Sequence, residues 1–176
     1  PNGYSIKAIG RLDMSDRERA LALCPVSRET VQRLDSFVAL LRRWQPFKNL
    51  VSTKTLDEVW LRHIADSLQL AEMRPTVRHW ADLGSGAGFP GLVIACTWFD
   101  EGRVMHLVEI NHRKCAFLQE VTRTLNLSVK VHNARIEDAI PVLLEQKIEV
   151  VSARALAGLT QLIHYCAPLV DNHAEA

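Results

Sequence analysis

The sequence predicts an α/β domain with a mainly parallel sheet, preceded by a helical appendage. From Val77 onwards, short apolar runs alternate with helical apolar patterns. This alternation favours a parallel sheet that helices cover on both faces. The chain before that point carries only helical patterns. We therefore place the appendage in residues 1–74 and the core that contains the sheet in residues 75–176.

The composition is typical of a soluble globular protein. Of the 176 residues, 48% are hydrophobic and 23% are charged, and the formal net charge is +1. This charge argues against nonspecific nucleic-acid binding over the whole surface, but it is compatible with a local basic face. No apolar run approaches the roughly 18 residues of a membrane span, and no signal-peptide pattern opens the chain. We expect a cytoplasmic protein that does not contact a membrane.

The four cysteines are scattered along the chain without a C-x-x-C pair. This spacing indicates neither a zinc site nor a disulfide framework, so we expect reduced thiols and no metal.

Three helices are predicted in the appendage. Ser15–Glu18 has the pattern of a capping box and predicts a short helix that ends before Pro25. A second helix begins near Ser27 and is expected to end at Pro46, and Thr55–Glu58 is a second capping box that opens a third helix. The predicted apolar faces consist of Val31, Leu34, Phe37, Val38, Leu41 and Trp44 in the second helix, and of Val59, Leu61, Ile64, Leu68 and Leu70 in the third. Because these helices have no sheet of their own, we expect them to pack on the core.

The core is predicted to contain four strands. They begin at Val77, Val104, Val129 and Ile148, and helices are expected from Phe89, from Asn111 to about Asn126, and from Leu159 toward Ala167. Ligands of parallel sheets bind beyond the carboxyl ends of the strands. The residues expected to gather at that edge are Asp82, Glu109, Ile136, Glu137 and Arg154.

A glycine-rich turn follows the first strand and is the strongest functional signal. The dinucleotide pattern G-x-G-x-x-G fails from Gly84, because Phe89 holds the third glycine position, and from Gly86 it would end the strand too early. The better frame is Asp-x-Gly-x-Gly-x-Gly over Asp82–Gly88. A carboxylate at the strand end would repel a pyrophosphate and suit a cationic ligand. This pattern resembles motif I of the S-adenosylmethionine (SAM) methyltransferases, and we expect the helix after it to offer free N–H groups to the ligand.

Glu109 ends the second predicted strand, some 20 residues beyond the glycine turn. A carboxylate there can accept hydrogen bonds from both hydroxyl groups of a ribose. The alternative is a solvated loop acid. Ribose binding would not distinguish SAM from NAD, since both contain a ribose.

Four segments of this sequence resemble segments of one family of bacterial enzymes, and they follow one another in the same order as in that family. They are Asn49–Ser52 (Asn-Leu-Val-Ser), Arg62–Leu68 (Arg-His-Ile-Ala-Asp-Ser-Leu), Asp82–Gly91 and Val151–Ala155 (Val-Ser-Ala-Arg-Ala). Together they resemble ribosomal small-subunit RNA methyltransferase G, also called glucose-inhibited division protein B, over roughly residues 27 to 170. The glycine turn alone indicates a methyltransferase, and the flanking segments make the resemblance specific.

The resemblance implies a Rossmann-like SAM methyltransferase fold and transfer of a methyl group to N7 of one guanine in 16S ribosomal RNA, near the decoding site. It implies that Gly84 and Phe89 contact the cofactor, that Ile136 and Glu137 flank its adenine, and that Arg154 lies at its pocket. With the residues derived above, the expected cofactor set is Asp82, Gly84, Gly86, Gly88, Phe89, Glu109, Ile136, Glu137 and Arg154. Many members of the family carry Asp where this chain has Glu109.

Arg62, His63 and Asp66 allow two interpretations. The residues alone favour an exposed Arg–Asp pair of i,i+4 spacing on a helix. The resemblance implies that this helix lies over the pocket mouth and offers Arg62 and His63 to RNA phosphate or to the cofactor. We therefore group Arg62, His63 and Arg154 as candidate catalytic residues.

Guanine N7 has a lone pair and no proton to lose, so catalysis by positioning is expected, without a general base. The expected partner is 16S rRNA or the small ribosomal subunit, and the expected state is a monomer. Family members continue into a strand and a final hairpin where this sequence stops at Ala176, so we expect these C-terminal strands to be missing. The alternatives are an NAD-dependent oxidoreductase, a catalytically silent RNA-binding module and a methyltransferase of small molecules.

Overall fold

The computed structural model describes residues 14–48, 50–52, 56–99, 102–154 and 159–171. The strands are β1 (His79–Leu83), β2 (Val104–Glu109), β3 (Val129–Asn133) and β4 (Val150–Ala153). The helices are α1 (Asp16–Leu23), α2 (Arg28–Lys48), α3 (Asp66–Met73), α4 (Gly91–Cys96), α5 (His112–Thr124), α6 (Ile136–Leu144) and α7 (Leu159–Asp171), and a π-helix (Trp60–Ala65) leads directly into α3.

The four strands form one sheet in the order β3-β2-β1-β4, and every neighbouring pair is parallel. Leu83 at the end of β1 lies beside Val108 of β2 and Ala153 of β4. The carboxyl ends of these three strands therefore meet at one edge, as parallel strands with crossover connections require. The predicted α/β, Rossmann-like fold class is confirmed.

Two predicted helix starts have the expected capping contacts. The Ser15 hydroxyl accepts from the Glu18 N–H while the Glu18 carboxylate accepts from the Ser15 N–H, which completes the capping box of α1. The Asn111 side chain accepts from the N–H groups of Arg113 and Lys114 at the start of α5. The capping box predicted at Thr55 lies outside the described residues.

The second helix extends further than predicted. It was expected to end at Pro46, but α2 continues through Pro46 to Lys48. Pro46 lies in the last turn, where the missing N–H removes a single intrahelical hydrogen bond and few later residues depend on it. Likewise α7 reaches Asp171 rather than stopping near Ala167.

The π-helix changes the apolar face predicted for the third helix. Val59, Ile64 and Leu68 are buried as expected, but Leu70 is 38% exposed. A π-helical turn contains an additional residue, so the side chains that follow it rotate away from the face that a regular α-helix would bury. Trp60 and Ala65, which the α-helical period left out, join the core.

The helix α6 was not predicted. Ile136, Ala139 and Leu143 are buried on one side of it, at helical spacing. Pro141 lies inside the helix and interrupts the sequence signal, because proline favours a helix break. Burial of the apolar side outweighs that preference here.

The appendage and the sheet share one hydrophobic core. The cluster on one face of the sheet joins Leu34, Phe37 and Leu41 of α2 to Leu92 of α4 and Phe117 of α5. The ring centroids of Phe37 and Phe117 are 6.2 Å apart. The N-terminal helices therefore pack on the core, while the boundary between residues 74 and 75 stays a prediction. A second cluster, with α6 and α7, covers the other face.

Among the described residues, no helix is long and apolar enough to cross a membrane. Within the same ranges, no three His, Cys, Asp or Glu side chains are grouped so that they could hold a metal ion. Cys24, Cys96, Cys115 and Cys166 are free thiols.

Candidate functional site

The glycine turn connects β1 to α4 and is fastened to the end of β2. The N–H groups of Gly84 and Ser85 both donate to the carbonyl oxygen of Val108, at 2.9 and 3.0 Å. Gly86 has φ of +57°, and a Cβ there would meet only the Gly84 carbonyl oxygen, at 3.8 Å. Glycine therefore permits both the left-handed backbone and a close approach to this side of the turn.

Asp82 lies beneath the turn rather than above it. Its side chain is 1% exposed. The Ser152 hydroxyl donates to Asp82 Oδ1 at 2.7 Å, and the Gly91 N–H donates to Asp82 Oδ2 at 3.3 Å. Burial raises the pKa of Asp82 to about 6, against the opposing effect of the Ser152 hydrogen bond.

The first N–H groups of α4 are occupied by acceptors of the protein itself. The Gly91 N–H is bonded to Asp82, and the Leu92 N–H donates to the Gly88 carbonyl oxygen at 2.8 Å. The sequence predicts free N–H groups that face a ligand at this helix start, and for these two groups the prediction is wrong. A pyrophosphate bound at this helix start would need free N–H donors, and the Asp82 carboxylate already accepts from one of them, that of Gly91.

A cavity of about 390 Å³ opens beside the turn, at the carboxyl edge of the sheet. The predicted cofactor residues that line it are Gly84, Gly86, Glu109, Ile136, Glu137 and Arg154. Asp82, Gly88 and Phe89 are buried and do not line it. The remaining lining residues carry no signal of cofactor binding in the sequence, and these are Val108, Ile110, Lys114, Ala134, Arg135, Gln161 and Tyr165.

Glu109 connects the turn to the wall of the cavity. Its Oε2 accepts from the Gly86 N–H at 2.9 Å, and its Oε1 accepts from the Asn111 N–H at 2.8 Å. The residue is 7% exposed. A carboxylate has about four acceptor positions, so each oxygen keeps capacity for a hydroxyl group of a ligand.

Glu137 is held from α7. The Tyr165 hydroxyl donates to Glu137 Oε1 at 3.0 Å and accepts from Gln161 Nε2 at 2.7 Å. A hydrogen bond from its own backbone N–H, followed by that from Tyr165, lowers the pKa of Glu137. The sequence gives no signal for these α7 contacts, because they depend on how α6 and α7 pack.

His63, Phe89 and Arg154 form a stack behind the turn. The rings of His63 and Phe89 are stacked with centroids 4.7 Å apart, and the Arg154 guanidinium carbon lies 5.5 Å from the Phe89 centroid. His63 Nδ1 is buried and has no hydrogen-bond partner among the described residues. Burial, reinforced by the charge of Arg154, lowers the pKa of His63, so its imidazole is neutral near pH 7.

Arg154 and Arg62 have different surroundings. The Arg154 guanidinium donates no hydrogen bond to any described residue, and the charges of Asp66 and Asp82 partly offset the effect of burial, which lowers its pKa. Arg62 Nε lies 2.5 Å from Glu58 Oε2, and its side chain is 58% exposed. The pairing of Arg62 with Asp66 was therefore wrong, since Glu58 is the partner. The structure brings His63 and Arg154 together at Phe89 and leaves Arg62 outside this stack.

Comparisons with known proteins match this chain to one family. The model of the family described as rRNA small subunit methyltransferase G matches residues 30–175. Three relatives named ribosomal RNA small subunit methyltransferase G come from Methylobacterium radiotolerans, Bradyrhizobium diazoefficiens and Methylobacterium nodulans. They are 54%, 50% and 52% identical over 88%, 92% and 92% of this chain. The aligned regions span 72%, 62% and 76% of the relatives' own lengths.

The family match covers the helices that pack on the sheet, the glycine turn, and all the residues that line the cavity. The identity to each of the three relatives is at least 50% over at least 88% of this chain. The chain therefore belongs to the rRNA small subunit methyltransferase G family.

Proposed function

We propose that this protein is a SAM-dependent methyltransferase that methylates N7 of one guanine in 16S rRNA, near the decoding site. The family membership and the names of the relatives support the RNA substrate. The observation that carries the choice of cofactor is the position of Asp82. A buried carboxylate that occupies the start of α4 favours a cationic ligand over a pyrophosphate.

The residues present fit an adenosine-containing cation. Gly86 leaves open space where a Cβ would project, and Glu109 has unused acceptor capacity for ribose hydroxyl groups. Ile136 and Glu137 would flank the adenine, with the exposed side chain of Ile110 on the same wall. Gly84 borders the opposite side, where the methionine part of the cofactor would lie. Phe89 and Gly88 do not line the cavity and would contribute by fixing the conformation of the glycine turn.

SAM supplies an electrophilic methyl group on a sulfonium centre. The protein would hold guanine N7 in line with that methyl group, so that the N7 lone pair forms the new bond as the sulfur–methyl bond breaks and the demethylated thioether leaves. No side chain has to remove a proton, because N7 carries no hydrogen. The neutral His63 ring stacks on Phe89 and adds no positive charge of its own behind the turn. Water is excluded from this side of the turn by the aromatic side chains of Phe37 and Phe89, whose ring centroids are 5.2 Å apart.

Arg154 and Arg62 have separate roles in this proposal. Arg154 faces the cavity with unused donors, so it can hold a carboxylate of the cofactor or a phosphate of the RNA with two parallel hydrogen bonds. Arg62 lies exposed on the π-helix and would contact an RNA phosphate at the rim, with His63 beneath it. The target guanine must leave any stacked arrangement, so a loop or a flipped base is expected. We also propose that the protein acts as a monomer in the cytoplasm.

Calorimetric titration of the full-length protein with SAM and with NAD tests the cofactor. SAM and its demethylated product are expected to bind, and NAD is not. Saturable binding of NAD without a response to SAM would overturn the proposal in favour of an oxidoreductase. RNA binding without SAM binding would favour a silent RNA-binding module.

The reaction is tested by borohydride–aniline cleavage of 16S rRNA after incubation with SAM, because this chemistry detects 7-methylguanine at single sites. Cleavage at one site is expected for the parent protein. Arg154→Lys is expected to reduce it strongly, since lysine cannot form the two parallel hydrogen bonds. Arg62→Ala should reduce it through weaker RNA binding, and added RNA should partly restore it.

Arg78→Lys is the matched control for Arg154→Lys. Arg78 is exposed and precedes β1 at the opposite edge of the sheet, so the control should methylate like the parent. Normal methylation by Arg154→Lys would remove this residue from the site. Methylation of a ring carbon or of an exocyclic amine would overturn the assigned reaction.

A further inference from the structure

Ser152 lies between two buried side chains of the neighbouring strand β1. Its hydroxyl donates to Asp82 Oδ1 at 2.7 Å and accepts from the indole N–H of Trp80 at 2.9 Å. Strand register places Ser152 directly beside Asp82 in the parallel pair of β1 and β4. Trp80 and Asp82 are two residues apart on β1, so they share one face of the sheet. The three side chains form a continuous hydrogen-bonded row.

The indole determines which way the Ser152 hydroxyl points. A serine hydroxyl has one hydrogen to donate and two lone pairs to accept with. Because Trp80 can only donate, the hydroxyl must accept from it, and its single hydrogen is left for Asp82. Trp80 is 3% exposed, so little water competes for this contact. The row is thus directional, from the indole to the carboxylate.

The carboxylate at the end of this row holds the cofactor turn. Asp82 Oδ2 accepts from the Gly91 N–H at the start of α4. The Ser85 hydroxyl donates to the Asp82 carbonyl oxygen at 2.8 Å, so the turn is tied to Asp82 on both sides. The positive charge of Arg154 lowers the pKa of Asp82, and the negative charge of Asp66 in α3 raises the pKa of Arg154. Without the hydrogen of Ser152, the carboxylate, which is 1% exposed, would lose its shortest hydrogen bond.

We propose that Ser152 is a positioning residue of the cofactor site, whose hydroxyl, oriented by Trp80, holds the Asp82 carboxylate in the charged form that anchors the glycine turn and attracts a cationic cofactor. This inference rests on the proposed function, because it assumes that the ligand of the turn carries a positive charge. Ser152 itself does not line the cavity beside the turn. Its effect passes through Asp82.

The test uses Ser152→Ala, Ser152→Thr and Trp80→Phe in the full-length protein. Two quantities are measured against pH: the carbon-13 chemical shift of the Asp82 carboxyl in the cofactor-free protein, and the affinity for SAM by calorimetry. Ser36→Ala is the matched control, because Ser36 is exposed, its hydroxyl donates to the Gln32 carbonyl oxygen within α2, and it does not line the cavity.

Ser152→Ala is expected to raise the Asp82 titration midpoint by about one pH unit, which corresponds to losing a hydrogen bond to a charged group. Because binding is expected to follow the charged fraction of Asp82, SAM affinity should fall about twofold at pH 7 and about tenfold near pH 5, and the loss should vanish toward pH 9, where the carboxylate is charged in both proteins. Ser152→Thr retains the hydroxyl and should restore both quantities. Trp80→Phe should shift the midpoint in the same direction by less.

An unchanged Asp82 midpoint in Ser152→Ala, or an affinity loss of equal size at every pH, would overturn the inference, because a purely structural defect does not follow ionisation. If the parent protein fails to bind SAM at any pH, the proposed function fails, and the cofactor part of this inference fails with it. The carboxyl titration of the cofactor-free protein distinguishes the two failures, because it reports on Ser152 and Asp82 without any ligand.

Discussion

Asp82 and Glu109 lie at the carboxyl ends of neighbouring strands of the same sheet, and the sequence places both in the cofactor set, Asp82 through its charge and Glu109 through ribose hydroxyl groups. The structure separates them. Asp82 is enclosed between Ser152 and the start of α4, while Glu109 bonds the turn from the side that lines the cavity. Both carboxylates accept a hydrogen bond from the backbone around the glycine turn, Asp82 from the Gly91 N–H and Glu109 from the Gly86 N–H.

The difference follows from strand position. β1 is flanked by β2 and β4, and α4 packs over its end, so a side chain there is closed off from solvent on every side. The end of β2 borders the cavity, and the chain continues from it into Asn111 and α5. Burial therefore makes Asp82 costly in its charged form, while Glu109 keeps contact with the space that a ligand would fill. Two acids in equivalent sequence positions can thus differ in what they contribute.

The largest expected effect comes from closing the cavity on the Glu109 side. Gly86→Phe should weaken SAM binding by at least about a hundredfold in calorimetry, because the new side chain would project into the cavity. The left-handed backbone should cost only about 1–2 kcal/mol of unfolding free energy. Gly102→Phe is the matched control, since Gly102 also has positive φ and open space but lies away from the cavity. Equal SAM affinity in the two variants would contradict the site.

The next effect concerns Glu109 itself. Glu109→Ala should lower SAM affinity by about 1.5–3 kcal/mol, the range for hydrogen bonds to a charged group. The matched control is Glu149→Ala, because the Glu149 carboxylate also accepts from two backbone N–H groups, those of Arg78 and His79, at the opposite edge of the sheet. The control should lose stability in urea unfolding but keep its SAM affinity. If Glu109→Ala behaves like this control, Glu109 is only a structural acid.

The third prediction concerns Asp82→Asn, which should make the folded protein more stable at pH 8 but weaken its SAM binding. The pKa of Asp82 in the folded protein, about 6, lies above its ordinary value of 3.8. Between these values the folded state binds more protons than the unfolded state, so the stabilisation from this group is present below about pH 3.8 and is lost as the pH rises through 6. Asp82→Asn resembles the protonated form and should raise the unfolding free energy at pH 8 by about 1–3 kcal/mol.

The same substitution should weaken SAM binding at pH 8, because the anchoring charge is removed. Urea unfolding at pH 8 and pH 4.5 checks the sign, and the stability difference from the parent should shrink at the lower pH. A variant that is less stable than the parent at pH 8 would mean that the hydrogen bonds of Asp82 outweigh the cost of burying its charge.

Much of the fold could be predicted because local patterns and tertiary packing agree. The run Val104–Val108 is apolar and short, and it forms a central strand, while Asn111 has the side chain that caps a helix and does so. The prediction failed where a rare geometry or a proline interrupted the pattern. The π-helix at Trp60–Ala65 and the helix containing Pro141 are stabilised by burial, which no local rule reports.

The sequence by itself indicated the family, through the resemblance of four ordered segments, and it indicated the α/β class and the strand-end residues, because motif residues and the apolar period are local features. Only the tertiary structure decided what each of those residues does. It placed Asp82 beneath the turn and Glu109 at the cavity, stacked His63 on Phe89 beside Arg154, and paired Arg62 with Glu58. The physical reason is that burial and hydrogen-bond partners depend on which strands and helices meet, and those neighbours are far apart in the chain.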